Sequence, residues 1–245
     1  MKLAALSPQL GALRARLRQS ASGKEAIVLQ RFFKTGPGES GEGDQFIGVR
    51  VPVLRGLLRE FCGLAFADAC ALVPSPLHEE GLLALLIMVD SYERGDESQR
   101  AAIFQFYVDH TVPINNWDLV ASSAPGIVGR HLERRARKIL FATAGASNLW
   151  DRRIAVLATF HFIRRNEFFE MLRLAKMLLP DRHDLIHKAV GWMLREVGKR
   201  DAARSRDFLE PHPARMPHTM LRSSIEKLPV AERRHWLSTS KGKRL

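Results

Sequence analysis

The segment HDLIHKAVGWMLREVGKR, 183–200, gathers the most chemistry-bearing side chains of the chain in helical register. At about 100° per residue, Ile186, Val190, Met193, Leu194 and Val197 form one apolar stripe. Trp192 lies roughly 120° from Ile186 and only about 20–60° from Lys188, Arg195 and Lys199, so its indole stands among cations. An aromatic ring so placed either packs under the alkyl stems of its neighbours or touches an anionic ligand that they hold. The segment NLWDRRIAVLATFHFIRR, 148–165, has the same design: Trp150, Ile154, Leu157, Ala158 and His161 make the core stripe, and Arg153 and Arg164 project from its flank.

Other chemistries find less support. His183 and His187 are spaced i, i+4 as metal ligands on a helix are, but no third ligand has suitable spacing, so no metal is expected. The loop KTGPGESGEGDQF, 34–46, is glycine-rich yet lacks the Gly-Lys-Ser/Thr that closes a phosphate-binding loop. There is no Gly-x-Ser-x-Gly elbow, and nothing suggests a cysteine nucleophile or a nucleotide cofactor. Cys62 and Cys70 sit in an apolar stretch without Cys-x-x-Cys spacing, which argues against zinc and disulfides and fits a reducing compartment.

The elements that must position these residues are helices, because apolar residues recur with helical period and almost nowhere alternate as in strands. Helices are expected at about 7–20, 23–33, 51–62, 77–94, 97–109, 116–123, 125–143, 148–165, 167–178, 183–199, 201–209, 217–227 and 230–238, separated by short Gly-, Pro- and Asn-rich breaks. Short connections make successive helices antiparallel neighbours, in a bundle or an α-solenoid. Trp117, Trp150 and Trp192 are 33 and 42 residues apart, bracketing helical-repeat periods of about 34 to 47 residues. The expected fold is therefore all-α: an α-solenoid of HEAT-like helical repeats forming a curved, C-shaped single domain over 1–245, with a basic flexible tail at 239–245.

Charge is unevenly distributed along this frame. Residues 1–120 hold 12 Lys/Arg and 14 Asp/Glu, and residues 121–245 hold 26 and 12, so the halves carry −2 and +14. One-sided charge concentrates an anionic partner, and nucleic acid is the leading candidate over an anionic membrane surface or an acidic protein. The start of the chain does not read as a signal peptide, and no segment reaches the roughly 20 apolar residues of a membrane helix. A cytoplasmic protein with no membrane-spanning part is expected.

Several stretches together resemble the AlkD-type DNA alkylation repair family: FFKTGPGESGEGDQFIGVRVPVLR at 32–55, NNWDLVASSAPGIVG at 115–129, NLWDRRIAV at 148–156, HDLIHKAVGWMLREVGKRD at 183–201 and MPHTMLRSSIEKLP at 216–229. The resemblance implies a HEAT-like solenoid whose concave cationic face grips duplex DNA, alkylated or distorted, as a monomer that is nucleoid-associated when bound. It implies a monofunctional glycosylase for N3- or N7-alkylated purines that works through the backbone and sugar, without a base-reading pocket or a cofactor. Such a lesion is cationic and its glycosidic bond already weak, so the enzyme need only stabilise an oxocarbenium-like sugar and admit water. Matched residue by residue, the family's two aromatic walls correspond to Trp117 and Trp192 and its phosphate-binding arginine to Arg153. Asp118, Arg152, Arg164, Lys188, Arg195 and Lys199 complete the expected DNA-contacting set.

One catalytic position departs from the family pattern. The family's Trp-Asp-Leu-Val-Asp reads Trp117-Asp118-Leu119-Val120-Ala121 here, so the acid that would stabilise the sugar cation and position water is replaced by Ala121. Asp118, about 100° round the helix from Trp117, does not stand in that position. Its structural reading is at N3 of a helix capped by Asn115. Three explanations remain: a naturally inactive binding paralogue, an active member using another acid or little acid catalysis, or an engineered acid-to-alanine variant. The functional alternatives are thus a glycosylase impaired at Ala121 and a non-catalytic protein that recognises damaged, distorted or branched duplex through its backbone. A helical scaffold for an acidic protein would explain the charge but not the motifs.

Overall fold

The computed structural model describes residues 7–242, with side chains to 239, and the chain divides into two compact units at Ile127/Val128. Among the described residues the secondary structure is helical apart from one parallel bridge between Gln45 and Leu77. Of the expected tail, 239–242 form the end of the last helix, and 243–245 lie outside the described residues.

The first unit contains α1 (Pro8–Gln19), α2 (Gly23–Phe32), α3 (Val51–Glu60), α4 (Phe66–Leu72), α5 (His78–Arg94), α6 (Glu97–Asp109) and α7 (Trp117–Ser123). Helix α5 is its centre and packs against α3, α4, α6 and α7. Its run Leu82–Leu85 with Ile87 and Met88 is buried, as expected of a helix apolar on most sides. Helix α1 starts where Ser7 caps the Leu10 amide and Pro8 fills the first turn. The same Ser7 hydroxyl donates to buried Asp68 of α4. Leu10, Leu13 and Leu17 turn inward, and Arg14 forks onto Glu80 of α5 at 3.1 and 3.2 Å.

One carboxylate gathers the end of the link between α2 and α3. Glu79, 1% exposed, accepts the amides of Ile47, Gly48 and Val49 at 3.1, 2.8 and 3.1 Å. Gly48 has φ +83°, and a Cβ there would stand 2.1 Å from the Ser22 carbonyl oxygen, so only glycine fits.

The second unit contains α8 (Lys138–Ala144), α9 (Leu149–Ala158), α10 (Phe160–Ile163), α11 (Phe169–Met177), α12 (Asp184–Gly198), α13 (Ala202–Leu209), α14 (His218–Ser224) and α15 (Val230–Gly242). Helix α12 is its hub, packed against α9, α10, α11, α13 and α14. The stripe Ile186, Val190, Met193, Leu194 and Val197 is fully buried, as its spacing predicts. Gly191 lets α14 approach: a Cβ there would be 2.6 Å from the Met220 carbonyl oxygen.

Two expected helices are broken, and one short helix, α4, is additional. The segment 125–143 becomes a π-helical turn, Pro125–Gly129, followed by turns before α8. The carbonyls released there are taken by arginines: Arg135 donates to His131, and Arg137 to Leu132 and Glu133, at 2.7, 3.3 and 3.1 Å. Arg137 also bridges Glu167 and Glu170 and covers the Phe162 ring at 3.9 Å. The segment 148–165 is interrupted at Thr159, whose hydroxyl bonds back to the Val156 carbonyl at 2.6 Å and so competes with the helical ladder.

Candidate nucleic-acid interface

In the first unit, Trp117 opens α7. Asn116, extended and 1% exposed, caps the helix by accepting the Trp117 amide at 2.8 Å, while its amide nitrogen donates to Asp44 at 2.8 Å. The cap is therefore Asn116 rather than Asn115, because both halves of its amide are satisfied, and Asp118 moves to the second helical position. The half-buried Trp117 indole lies flat on Phe33, with centroids 5.1 Å apart and planes 8° apart, and edge-on to Phe32 at 6.0 Å.

Beneath this stack, Asp44, His78 and Asp118 form one polar cluster. His78, 3% exposed, bonds Asp44 Oδ2 through Nδ1 at 2.9 Å and Asp118 Oδ2 through Nε2 at 2.8 Å. Burial disfavours charge on the ring, but the bonds to Asp118 and Asp44 outweigh it and lift the pKa from 6.5 to about 9. At neutral pH both ring nitrogens donate, and the imidazolium leaves the cluster one negative charge. Asp118 also accepts the Leu119 amide at 2.8 Å, so it is held as part of the frame. Ala121, three residues further along α7, is half-buried and offers no polar atom. Beside the cluster is a cavity of about 390 Å³, lined by Phe33, Phe46, Leu54 and Leu82 together with His78 and Asp118.

In the second unit, the half-buried Trp192 packs 5.9 Å from the Phe160 ring, and the exposed Arg164 guanidinium covers that ring at 4.1 Å. Aromatic and cationic groups thus share one patch, with Phe160 the member that the sequence reading did not single out. Arg153 differs from expectation: it is only 5% exposed and donates to the Leu185 carbonyl at 2.5 Å, tying α9 to the first turn of α12. Its long stem lets a residue on the edge of the apolar stripe tuck inward. Arg152 holds Asp181 at 2.7 Å and the Ala146 and Ser147 carbonyls.

The remaining expected contacts meet acids. Lys188 pairs with Asp184 at 2.7 Å, Lys199 with Glu196 at 2.6 Å and Arg195 with Glu226. Exposed pairs like the first are worth little and exchange readily for a stronger anion. The His pair is occupied by the backbone: His183 accepts the Leu185 amide at 3.2 Å and His187 donates to the Asp181 carbonyl at 2.6 Å. Among the described residues no three His, Cys, Asp or Glu side chains gather as a metal site, and no helix is long and apolar enough to cross a membrane. Burial pushes the Cys70 thiol up to about 12, which leaves it unreactive as a nucleophile at neutral pH.

The residues missed by sequence reading are Phe33, Asp44, His78 and Phe160. Asp44 lies in the glycine-rich stretch 34–46, which lacks a phosphate-loop pattern, and its partners His78 and Asn116 are 34 and 72 residues away, so spacing carries no trace of the contact.

A solved structure described as a "predicted DNA alkylation repair enzyme" from Enterococcus faecalis is similar in fold, with TM-score 0.68 and 17% identity, over 86% of this chain and 98% of that one. No curated protein sequence matches the chain. The profile of the family described as DNA alkylation repair enzyme matches residues 13–228, nearly the whole length, and the chain belongs to that family.

Proposed function

We propose that the protein binds duplex DNA through its phosphates and releases cationic N3- or N7-alkylated purines by hydrolysing the N-glycosidic bond, at a rate limited by Ala121. The observation that carries the binding reading is the charge of the second unit, +14 over 128–245 against −2 over the first 127 residues. The half-exposed rings of Trp117 and Trp192 each offer a π-face to a sugar or base, and Arg164 adds a cation beside Trp192. The helix pairs are read as HEAT-like repeats of a cytoplasmic monomer.

The chemistry asks little of the protein. The C1′–N bond breaks with its electron pair leaving on the base, which departs neutral, and water adds to C1′ and gives up a proton. What this chain lacks is a directed carboxylate for the sugar cation, since 121 is alanine and Asp118 is bound by His78. That commitment favours the second reading, a binding protein for damaged, distorted or branched duplex. The deciding experiment incubates duplex containing 7-methylguanine with the protein and with Ala121→Asp. Base release by the wild type supports the glycosylase; release by the variant alone supports the binding reading for the natural chain; release by neither overturns glycosylase function.

A further inference from the structure

The cations of the second unit differ in what they meet. Lys188, Arg195 and Lys199, with Arg137 and Arg152, each meet a carboxylate. Arg222, Arg233 and Arg234 do not: among the described residues none of the three has an ion-pair partner, yet they stand around one pocket.

That pocket, about 270 Å³, lies where α14 gives way to α15, with Ile225, Val230 and Leu237 as its apolar lining. The single acid at its edge, Glu226, is already engaged by Arg195 and Lys227. Arg222, Arg233 and Arg234 line one pocket, so their like charges are gathered on one side, and Arg233 Nε is buried with no hydrogen-bond acceptor among the described residues. Both features weaken the fold unless an anion enters. The α15 N-terminal turns, which supply Val230, Arg233 and Arg234, add positive potential on the same side.

We propose that Arg222, Arg233 and Arg234 form a phosphate-binding pocket. Planar guanidinium forks pair two-to-two with phosphate oxygens, and three of them match a tetrahedral anion better than the flat carboxylate of a protein partner. The pocket is too small for a nucleotide to be enclosed, but large enough for a phosphodiester or terminal phosphate with its waters. In its nucleic-acid form the inference rests on the DNA reading above, adding a backbone contact outside the tryptophan-bearing helices.

The test uses the full chain, the variant Arg222→Gln/Arg233→Gln/Arg234→Gln, its three single variants, and a charge-matched control in the first unit, Arg31→Gln/Arg55→Gln/Arg59→Gln. Circular dichroism melting confirms that each is folded. Duplex affinity is measured by anisotropy across a salt series, and inorganic pyrophosphate binding by calorimetry. The expected result is a log–log salt slope reduced by about one for each pocket arginine removed and much less by the control, which assigns the site to the nucleic-acid backbone. Loss of pyrophosphate binding with an unchanged duplex slope supports the pocket and assigns it to a free phosphorylated ligand. Pocket variants indistinguishable from the control in both assays overturn it. Failure of the wild type to bind duplex refutes the DNA reading alone, and the pyrophosphate measurement then decides the pocket by itself.

Discussion

Stability should depend on pH through one histidine. His78 has a pKa of about 9 in the folded chain against 6.5 as its ordinary value. Below pH 6.5 the ring is charged whether the chain is folded or not, and its bonds to Asp44 and Asp118 contribute in full. Between 6.5 and 9 only the folded chain keeps the proton, so stability falls as pH rises, by at most about 1.4 kcal/mol per pH unit. Above 9 the contribution is gone, for a total of about 3 kcal/mol. Urea denaturation of the wild type at pH 6 and at pH 9.5 should therefore differ by that order more than it does for His78→Gln. The variant leaves two carboxylates facing each other without a cation and should already be about 3–5 kcal/mol less stable at pH 6. Hydrogen exchange of the α7 amides should accelerate in parallel, because Asn116 and Asp118 are anchored through the same cluster. An equal loss of stability with pH in wild type and variant would refute the reasoning.

Three further outcomes follow from local geometry. Gly48→Ala forces a Cβ into the Ser22 carbonyl at a positive φ, and should cost more than about 2 kcal/mol, with limited proteolysis opening the chain at α2. Arg137→Ala strips the cation from buried Glu170 and leaves the Leu132 and Glu133 carbonyls without a donor; a loss of about 3 kcal/mol is expected from denaturant melts. Trp192→Ala should leave the melting temperature nearly unchanged but weaken duplex binding about tenfold in an anisotropy titration. Trp150→Ala, removing a ring only 7% exposed, should cost about 3–5 kcal/mol instead.

How much of this was legible depended on the range of the interaction. The α12 stripe and the position of Trp192 off it follow from helical period, a signal repeated over four turns. Helix α4 is seven residues long, too short for a period to register. The breaks in 125–143 and 148–165 are made by side chains bonding main-chain carbonyls, Arg135 and Arg137 in one and Thr159 in the other; residue type allows such bonds but does not announce them. A helical wheel assigns Arg153 by direction alone, whereas its burial depends on stem length and on the carbonyl of Leu185 being within reach. The Asp44–His78–Asp118 cluster joins residues 34 and 40 apart through polar contacts that leave no periodic mark.

The same distinction changes what the net charge means. A basic sequence suggests a uniformly attractive surface, but Lys188, Arg195 and Lys199 enter any complex by exchanging an existing acid for a phosphate. Such exchange gives little net energy and strong salt dependence. Arg164, lying on Phe160, and Arg222, Arg233 and Arg234 have no acid to displace among the described residues, so each phosphate they meet is a new interaction. Affinity should therefore depend more on unpaired cations such as these four than on the paired ones, which steer the approach of the duplex. Replacing all four arginines by glutamine should weaken duplex binding far more than replacing Lys188, Arg195 and Lys199, although the second change removes almost as much charge. Equal losses from the two sets would mean that the field of the unit, and not the pairing of its individual cations, governs binding.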